Sequence, residues 1–326
     1  MRFDSTHLDP SSIDIGDDRY RITTALPDKS LGRSISLVGL LHPPVLQAVL
    51  QKTTASYIVV SGFNRIKAVS AMGWSKIDCF VLSGDTSPKD CLLFSIADNV
   101  SSRSLNLLEQ ANAVRKLSVF VPDKIFLCAM LEDIGLNLSP GLVSKYERLL
   151  KLPQELQAVV GRGLMPLAAA LSLEGMDLHS VHMICGLIER LRPGTNLQKE
   201  ILSRLKEFAA QKGIPVSSVL ELPDVSGILN SGEADRKAML QHLRKALRRL
   251  CFPSLCAMED QFAESLSRLE LPPGVRFVFP EGFEDTRYRL ELEIKSASDM
   301  ENHGCLMQEI SSHPALLEIF KRELRD

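Results

Sequence analysis

The chain has 326 residues, of which 45% are hydrophobic and 24% charged, a composition typical of a globular protein and not of a disordered or fibrous one. Its formal net charge of -2 excludes a polyanion-binding protein that acts through bulk electrostatics, so any contact with nucleic acid must come from a local basic patch. A chain of this length predicts about two to four domains, because one hydrophobic core rarely serves so many residues.

The seven cysteines are scattered and form no CxxC pair. This pattern predicts reduced, mostly buried thiols in a cytosolic protein, and neither a disulfide framework nor a zinc site. The N-terminal stretch MRFDSTHLDP is polar and acidic, unlike a signal peptide, and no apolar run is long enough to span a bilayer. We therefore expect a cytoplasmic protein without a membrane partner.

The N-terminal part alternates strand and helix signals, which predicts a small α/β module that ends near Ala97. The predicted elements are a strand at 13–15, a helix at 31–40 that ends at Gly39, a strand at 57–60, a helix from Phe63 and a strand at 77–82.

The stretch YIVVSGFNRIKAVSAMG, residues 57–73, predicts a strand, a tight turn and a helix that ends at Gly73. The first N–H groups of a helix are free and carry a partial positive charge, so they suit an anion. Gly62 allows a close approach to the backbone, and Arg65 would add a charge-assisted fork for phosphate. The alternative is an ordinary βα unit with a surface arginine.

From Asn106 the pattern becomes helical, and Glu109 completes a capping-box arrangement. A second predicted helix, residues 123–134, stops at Gly135, and a third begins after Ser139 as its cap. A helix, a glycine-containing turn and a helix outline a helix-turn-helix, although any helical hairpin has the same pattern.

The chain stays helical from about 176 to 269 and contains the basic amphipathic stretch RKAMLQHLRKALRRL. Its leucines, which we expect on one face, are Leu240, Leu243, Leu247 and Leu250. Its cations, which face elsewhere with no acid among them, include Arg244, Lys245, Arg248 and Arg249. They form either a merely solvated face or a contact surface for a phosphate backbone.

The C-terminal tail predicts a separate small unit. Strands are expected at 275–279 and in YRLELEI, residues 288–294, because apolar residues alternate there. Ser298 together with Glu301 is the predicted cap of a final helical pair.

Three segments occur in an order that resembles one family. GFNRIKA resembles the glycine-arginine box of the ParB/sulfiredoxin-like domain, and DNVSSRSLNLLEQANA resembles the second ParB box. SPGLVSKYERLLKLPQELQAVVGRGLMPLAAAL resembles the ParB helix-turn-helix. The resemblance covers roughly residues 10–175, about half of the chain.

In the ParB family the two boxes form a pocket for CTP with Mg²⁺. By position in the box, the resemblance implies that Gly62 is the glycine that the phosphates approach. It also implies that Arg65 and Lys67 are the cationic residues that bind the phosphates. Asp98 and Asn99 take the magnesium side, which agrees with the oxygen ligands that Mg²⁺ prefers.

The chain departs from the family at both boxes. Phe63 replaces the glutamate implicated in hydrolysis, and Asn64 replaces the first arginine of the box. In the second box the family arginine falls on Ser102, with Arg103 one place later. Each lost cation removes about 1.5–3 kcal/mol where it would contact phosphate directly. We therefore expect little or no CTP hydrolysis and assign no catalytic residue.

The resemblance also implies a DNA-reading helix that begins at Ser139. Pro140 and Gly141 stand where the family carries arginine and serine, and the turn before them is about two residues longer. The side chains still able to contact phosphates or bases are Ser139, Ser144, Lys145 and Arg148.

The predicted fold class is a multi-domain α+β protein. Its parts are a ParB/sulfiredoxin-like α/β module at 1–103, an all-helical helix-turn-helix domain at 104–175, a helical region at 176–270 and a C-terminal strand-helix unit at 271–326.

The resemblance implies a DNA-binding protein of plasmid or chromosome partitioning, or of transcriptional regulation, that is regulated by CTP. Its expected partners are DNA, a ParA-type ATPase and a second copy of the chain, and its expected location is the nucleoid or a plasmid. One alternative is a degenerate adaptor that kept the fold and lost both ligands. The other is a nuclease-like or kinase-like enzyme on the same fold; sulfiredoxin activity is disfavoured because Phe63 and Asn64 stand where it needs a cysteine.

Overall fold

The computed structural model describes residues 3–24, 29–50, 55–232, 235–278 and 288–316. The chain divides into two compact units, residues 1–199 and 200–326. Both contain helices and strands, so the general expectation of a mixed α/β chain is confirmed. The finer domain boundaries stay predictions.

The first unit begins with a mixed five-stranded sheet. Its strands are β1 (Phe3–Leu8), β2 (Ile13–Asp14), β3 (Val45–Leu50), β4 (Ala55–Ser61) and β5 (Ile77–Leu82). The order across the sheet is β1-β5-β3-β4-β2, with antiparallel pairs β1/β5 and β3/β4 and parallel pairs β3/β5 and β2/β4. The sequence did not reveal β1, which is largely polar, or β3, which starts directly after two prolines.

Three helices accompany the sheet: α1 (Lys29–Val38), α2 (Phe63–Ala71) and α3 (Pro88–Ser102). Side chains of α1, α2 and the strands pack together in an apolar cluster, for example Ile35, Ile66, Leu46 and Val59. The Phe63 helix is confirmed, and Gly73 follows it with φ +71, the left-handed conformation expected just beyond a helix.

The rest of the first unit is helical. Its helices are α4 (Leu107–Ser118), α5 (Lys124–Glu132), α6 (Pro140–Leu149), α7 (Gln154–Gly161), α8 (Leu167–Leu171) and α9 (Leu178–Leu191). The predicted capping box of Asn106 and Glu109 is confirmed, as is the Ser139 cap, whose hydroxyl accepts from the Leu142 N–H. Helix α4 packs against α6 and α7. Local capping signals therefore located these helix starts correctly.

The remaining elements are α10 (Thr195–Lys212), α11 (Val216–Glu221), α12 (Pro223–Leu229), α13 (Arg236–Cys251), α14 (Pro253–Ser267), β6 (Val275–Val278), β7 (Arg289–Leu292) and α15 (Ala297–Ser312). Strands β6 and β7 pair antiparallel. The predicted strand at 275–279 reaches one residue, Phe279, that lies outside the described residues.

Two predictions for these elements were wrong. The cap of α15 is Ser296 with Asp299, not Ser298 with Glu301, because the helix starts two residues earlier and the Asp299 side chain reaches back to the cap backbone. On α13 the buried stripe is offset from the one we expected, with Leu240 and Leu250 only half-buried. The buried residues repeat every four positions: Met239, Leu243, Leu247 and Cys251.

The cysteines behave as predicted, since all seven are free and six of them are buried. Only Cys305, on α15, is exposed. Within the described ranges, no helix combines the length and the apolar character that crossing a bilayer requires.

Candidate nucleotide and nucleic-acid sites

Helix α2 begins at a glycine that no other residue could replace without strain. Gly62 caps the helix with φ +93, and a Cβ built on it would lie 2.9 Å from the Pro44 Cβ. The strand β4 ends at the preceding residue, Ser61, so the first N–H groups of α2 lie at the end of that strand. The sequence predicted this strand-turn-helix geometry.

Arg65, one turn into α2, is fixed by three oxygen atoms. Its Nη1 donates to the carbonyl oxygens of His42 at 2.5 Å and Pro43 at 3.4 Å, and its Nη2 lies 3.4 Å from Asp98 Oδ2. Burial lowers the pKa of Arg65, and the Asp98 charge opposes that shift. The Ser61 hydroxyl donates to the same Asp98 oxygen. The structure thus brings Gly62, Arg65 and Asp98 together.

The other two predicted nucleotide-site residues differ in their surroundings. Asn99 donates from Nδ2 to the Ser95 carbonyl at 2.8 Å, and its Oδ1 receives only long contacts from Thr23 at 3.4 Å and Arg103 at 3.5 Å. Lys67 is half-exposed, and no hydrogen bond or ion pair ties it to this cluster within the described residues. Residues two apart on a helix point in different directions, so Lys67 and Arg65 do not face one another.

Phe63 is part of the hydrophobic core, with 5% of its surface exposed, and the Arg21 guanidinium carbon lies 5.9 Å from its ring centroid. Two polar atoms near it, Arg21 Nε and Asn64 Oδ1, are buried with no hydrogen-bond partner in the described part of the chain. Buried polar atoms are normally satisfied, so these two atoms are exceptions among the described residues. Sequence reasoning missed Arg21 and Ser61; Ser61 had the signal of preceding Gly62, whereas Arg21 had none.

The residues of α6 that we expect to contact DNA differ in whether their side chains are already bonded within the protein. Lys145 is exposed, and among the described residues no acid contacts it. Arg148 donates to Glu174 Oε2 from Nε at 3.0 Å and from Nη2 at 2.5 Å. Ser144 accepts from Lys124 Nζ at 2.9 Å and donates to the Pro140 carbonyl at 3.1 Å.

The same helix begins at Ser139, whose hydroxyl serves as the helix cap. Lys145 is therefore the predicted contact residue of α6 that is most available to an anion.

The basic face of α13 is largely neutralised by acids from other helices. Arg244 Nε lies 2.8 Å from Glu200, Arg248 Nη2 2.5 Å from Glu259, and Arg249 Nη2 2.6 Å from Asp260. Lys245 is exposed and has no acidic partner among the described residues. These acids lie 44, 11 and 11 positions along the sequence from the arginines that they contact. The absence of acids within the basic stretch therefore did not predict that its arginines are unpaired.

Comparison with known proteins finds ParB and nucleoid occlusion proteins among the relatives. The chain is 31% identical over 163 residues to a protein described as a probable chromosome-partitioning protein ParB of Chlamydia trachomatis, an alignment that spans 47% of this chain and 54% of that relative. A nucleoid occlusion protein of Bacillus mycoides is 24% identical over 247 residues, 68% of this chain and 81% of the relative. The resemblance to ParB-type proteins is confirmed.

No protein-family model matches the chain. Among solved structures, the truncated ParB of Caulobacter crescentus complexed with CTP-γ-S is similar at 24% identity and a TM-score of 0.26, over 52% of this chain and 91% of that one. The same ParB complexed to its centromeric parS site has 20% identity and a TM-score of 0.35, over 67% and 97%. The chain spans about half the length of the ParB relatives from Chlamydia that it matches.

The arginine of the ParB-like second box stands at a different position in this chain than in the family pattern. Arg103, adjacent to the family arginine position at Ser102, donates to Glu109 at 2.6 and 2.9 Å. Glu109 is fully buried and also accepts from the backbone N–H groups of Thr24 at 3.2 Å and Asn106 at 3.1 Å. Glu109, at the start of α4, thus binds both the arginine of this ParB-like box and the N-terminal segment.

Proposed function

We propose that this chain is a ParB-like DNA-binding protein, acting in chromosome or plasmid partitioning or in transcriptional regulation, whose N-terminal module binds CTP as a regulatory ligand. The observation that carries the nucleotide part is the meeting of Gly62, Arg65 and Asp98 at the start of α2. The sequence similarity to ParB-type proteins supports the DNA-binding part.

The donor set at this position fits a triphosphate. The free N–H groups of α2 and the Arg65 guanidinium are suited to phosphate oxygens, and the buried Arg21 Nε would gain an acceptor that it lacks among the described residues. Arg65 would exchange its carbonyl partners, His42 and Pro43, for phosphate. The His42–Pro44 segment therefore has to respond to the ligand, which is how binding could alter the module.

Asp98 and Asn99 would hold Mg²⁺ together with phosphate oxygens and water. Among the described residues no group of three or more His, Cys, Asp or Glu side chains converges. In nucleotide sites Mg²⁺ commonly uses one or two carboxylates together with substrate phosphates and water. When bound, Mg²⁺ would neutralise phosphate charge, while Ser61 orients the Asp98 carboxylate.

For DNA we propose α5 and α6 as the helix-turn-helix, with Lys145 as the first phosphate contact. Arg148 joins it by leaving Glu174, an exchange that costs little because exposed ion pairs contribute only about 0–1 kcal/mol. Homodimer formation and a ParA-type ATPase partner belong to the same proposal by resemblance.

The test is a CTP titration by calorimetry, with and without DNA and with and without Mg²⁺. We expect saturable CTP binding that Arg65→Ala weakens at least about tenfold, equivalent to 1.4 kcal/mol. Asp98→Ala should reduce the Mg²⁺-dependent part of the affinity. Arg33→Ala, which removes an exposed arginine from α1, is the matched control and should leave CTP binding unchanged.

The second candidate, an adaptor without nucleotide, is favoured by one observation, the commitment of Arg103 to the buried Glu109. It predicts no CTP binding by the wild type up to millimolar concentration. DNA affinity then separates a DNA-binding protein without nucleotide from an adaptor that has lost both ligands.

A further inference from the structure

A cleft of about 380 Å³ lies between α3, the end of α4 and the segment at residues 19 and 20. This volume falls within the range of small-ligand and side-chain pockets in proteins. Pro88 and Leu92, from the first half of α3, are among the residues that line the cleft. The ParB-like nucleotide position uses the opposite end of that helix, at Asp98, so the cleft is a separate feature.

The floor of the cleft is apolar and held in place. Tyr20 and Leu92 are buried there, and the Tyr20 hydroxyl donates to Gln47 at 2.8 Å. Gln47 in turn donates to the Thr86 carbonyl at 2.8 Å, and the Ser95 hydroxyl donates to the Tyr20 carbonyl at 2.8 Å. These hydrogen bonds already order the side chains of the floor, so binding a ligand costs little further free energy for ordering them.

The rim carries apolar side chains that face solvent. Val119 is 76% exposed and Phe120 44% exposed, both directly after α4. Isolated exposed apolar residues are ordinary, but two adjacent ones on the edge of a preformed apolar cleft make a surface suited to a partner side chain.

The charge of the lining is one-sided, since three of its residues are cationic and none is acidic. Arg19 forms an ion pair with Asp17 at 2.6 Å, so the charge of Arg19 is already neutralised within the protein. Arg115 is exposed with no acidic partner among the described residues. Lys116 Nζ donates only to the backbone carbonyls of Asp18 and Arg19, which leaves it a third donor. Asp17 and Asp18 also act on the Lys116 charge. Arg115 is therefore the cation available to carboxylates of a partner, and Lys116 offers one remaining donor.

We propose that this cleft docks an acidic, amphipathic peptide segment of a partner protein. An aromatic or branched side chain of the peptide fills the cleft over Tyr20 and Leu92, and packs against Val119 and Phe120. Carboxylates beside that anchor pair with Arg115 and with the remaining donor of Lys116. The arrangement follows the usual division of an interface into an apolar centre and a charged rim.

The experiment uses the full chain and a fluorescein-labelled peptide with a central Leu-Phe pair flanked on both sides by aspartates. We expect saturable binding that weakens as salt increases. Two matched peptides, one with lysines in place of the aspartates and one with serines in place of Leu-Phe, should bind at least about tenfold more weakly. These comparisons need no protein variant and so do not depend on how a variant folds.

Variants then locate the site. Val119→Asp and Arg115→Glu should each weaken the acidic peptide about tenfold, a change of 1.4 kcal/mol. Leu178→Asp and Lys151→Glu are the matched controls, because each introduces the same acidic residue in place of an exposed apolar or cationic side chain outside the cleft, and both should bind as the wild type does. Thermal unfolding of all four variants confirms that they are folded.

Any of four results would overturn the proposal. The acidic peptide fails to bind up to millimolar concentration, or it binds no better than its lysine counterpart. The control variants lose as much affinity as the cleft variants. Phosphatidylglycerol vesicles bind the protein while the peptide does not, which would make the surface a membrane contact instead.

Discussion

At the scale of single residues, Gly62 combines two constraints that no other glycine among the described residues combines. Its φ of +93 disfavours any side chain, and its Cβ position is also occupied by the Pro44 ring, with 2.9 Å to Cβ and 3.1 Å to Cα. Gly163 has a comparable φ of +71 but open space within 4 Å of its Cβ position. Comparing substitutions at Gly62 and Gly163 therefore separates the cost of a left-handed backbone from the cost of a steric clash.

We predict that Gly62→Ala lowers the free energy of unfolding more than Gly163→Ala does. Both substitutions pay the left-handed penalty, about 1–2 kcal/mol, and only the first also displaces the Pro44 ring. Urea unfolding of both variants measures the difference. Equal losses would show that the segment at Pro44 gives way easily and that Gly62 is not required by close packing.

The second prediction, that the protein hydrolyses little or no CTP, rests on Phe63. We expect little or no phosphate release from CTP even where CTP binds, because a water-orienting group must lie within hydrogen-bond reach of the attacking water. Phe63 offers none and is buried in the core, while Asn64 and Ile66 do not replace it. Phosphate release with DNA present is the measurement.

Phe63→Glu is a demanding variant for that assay. It would bury a carboxylate, and Arg21, 5.9 Å from the present ring, is the cation available to pair with it. Phe63→Leu serves as the volume control for loss of the ring. Robust turnover by the wild type that Asp98→Ala abolishes would show that Asp98, and not position 63, carries the catalytic role.

At the scale of elements, Glu109 joins the N-terminal segment to the start of α4. It accepts from Arg103, from the Thr24 and Asn106 N–H groups, and it is fully buried. The cap of a helix N-terminus contributes about 1 kcal/mol, and Glu109 is the N3 residue of such a capping box. This residue also neutralises an arginine, so its removal leaves several donors without an acceptor.

We predict that Glu109→Ala destabilises the protein by about 3 kcal/mol, because it removes the buried carboxylate that accepts from Arg103 and from two backbone N–H groups. Glu147→Ala, which breaks the half-exposed pair of α6 with Lys124, should cost less than about 1 kcal/mol. Chemical denaturation compares the two variants. Similar losses would mean that Arg103 and the backbone groups find water once Glu109 is gone.

The helix α6 carries the prediction for DNA. Lys145→Ala should weaken binding and reduce the slope of log K against log salt by about one unit for the lost phosphate contact. Adding Arg148→Ala should reduce it further, and Glu174→Gln should tighten binding because it releases Arg148. Affinities measured at several salt concentrations give the slopes.

Unchanged binding and slope in the double variant of Lys145 and Arg148 would move the DNA contact to α13. There Lys245 is the cation to substitute first, since its neighbours are ion-paired. Glu174→Gln without effect, together with an effect of Arg148→Ala, would show that the Glu174 pair already exchanges freely with DNA.

At the scale of the whole molecule, burial raises the pKa of several acidic groups. The pKa values of Cys79 and Cys185 rise from 9.0 to about 12, and those of Tyr20 and Tyr146 from 10.0 to about 12. A raised pKa in the folded state means that the unfolded chain loses these protons first. The stabilisation is therefore complete below the unfolded pKa and is lost as pH rises toward the folded one.

We predict that the free energy of unfolding declines as pH rises from about 9 to 12. Cys185→Ala should flatten that decline, whereas substitution of the exposed Cys305 by alanine should leave it unchanged. Urea unfolding at a series of alkaline pH values checks both. An equal slope in the Cys185 variant would show that this thiol ionises without opening the fold.

The sequence by itself determined the features that depend on neighbours along the chain. The strand, turn and helix at 57–73 follow from a β-branched run, a glycine and an apolar period, and the caps at Asn106 and Ser139 are hydrogen bonds over three residues. The order of the ParB-like segments also lies in the sequence, and it gave the resemblance that the relatives confirm.

The tertiary structure alone decided which charges remain free. Arg148, Arg244, Arg248 and Arg249 are all basic in the sequence, yet each has an acid partner on another helix or loop. It also placed β3 between β4 and β5, where the pairing partners lie outside any local pattern. The physical reason is the same in both cases: hydrogen bonds and ion pairs depend on distance in space, and folding brings together residues whose separation along the chain carries no signal.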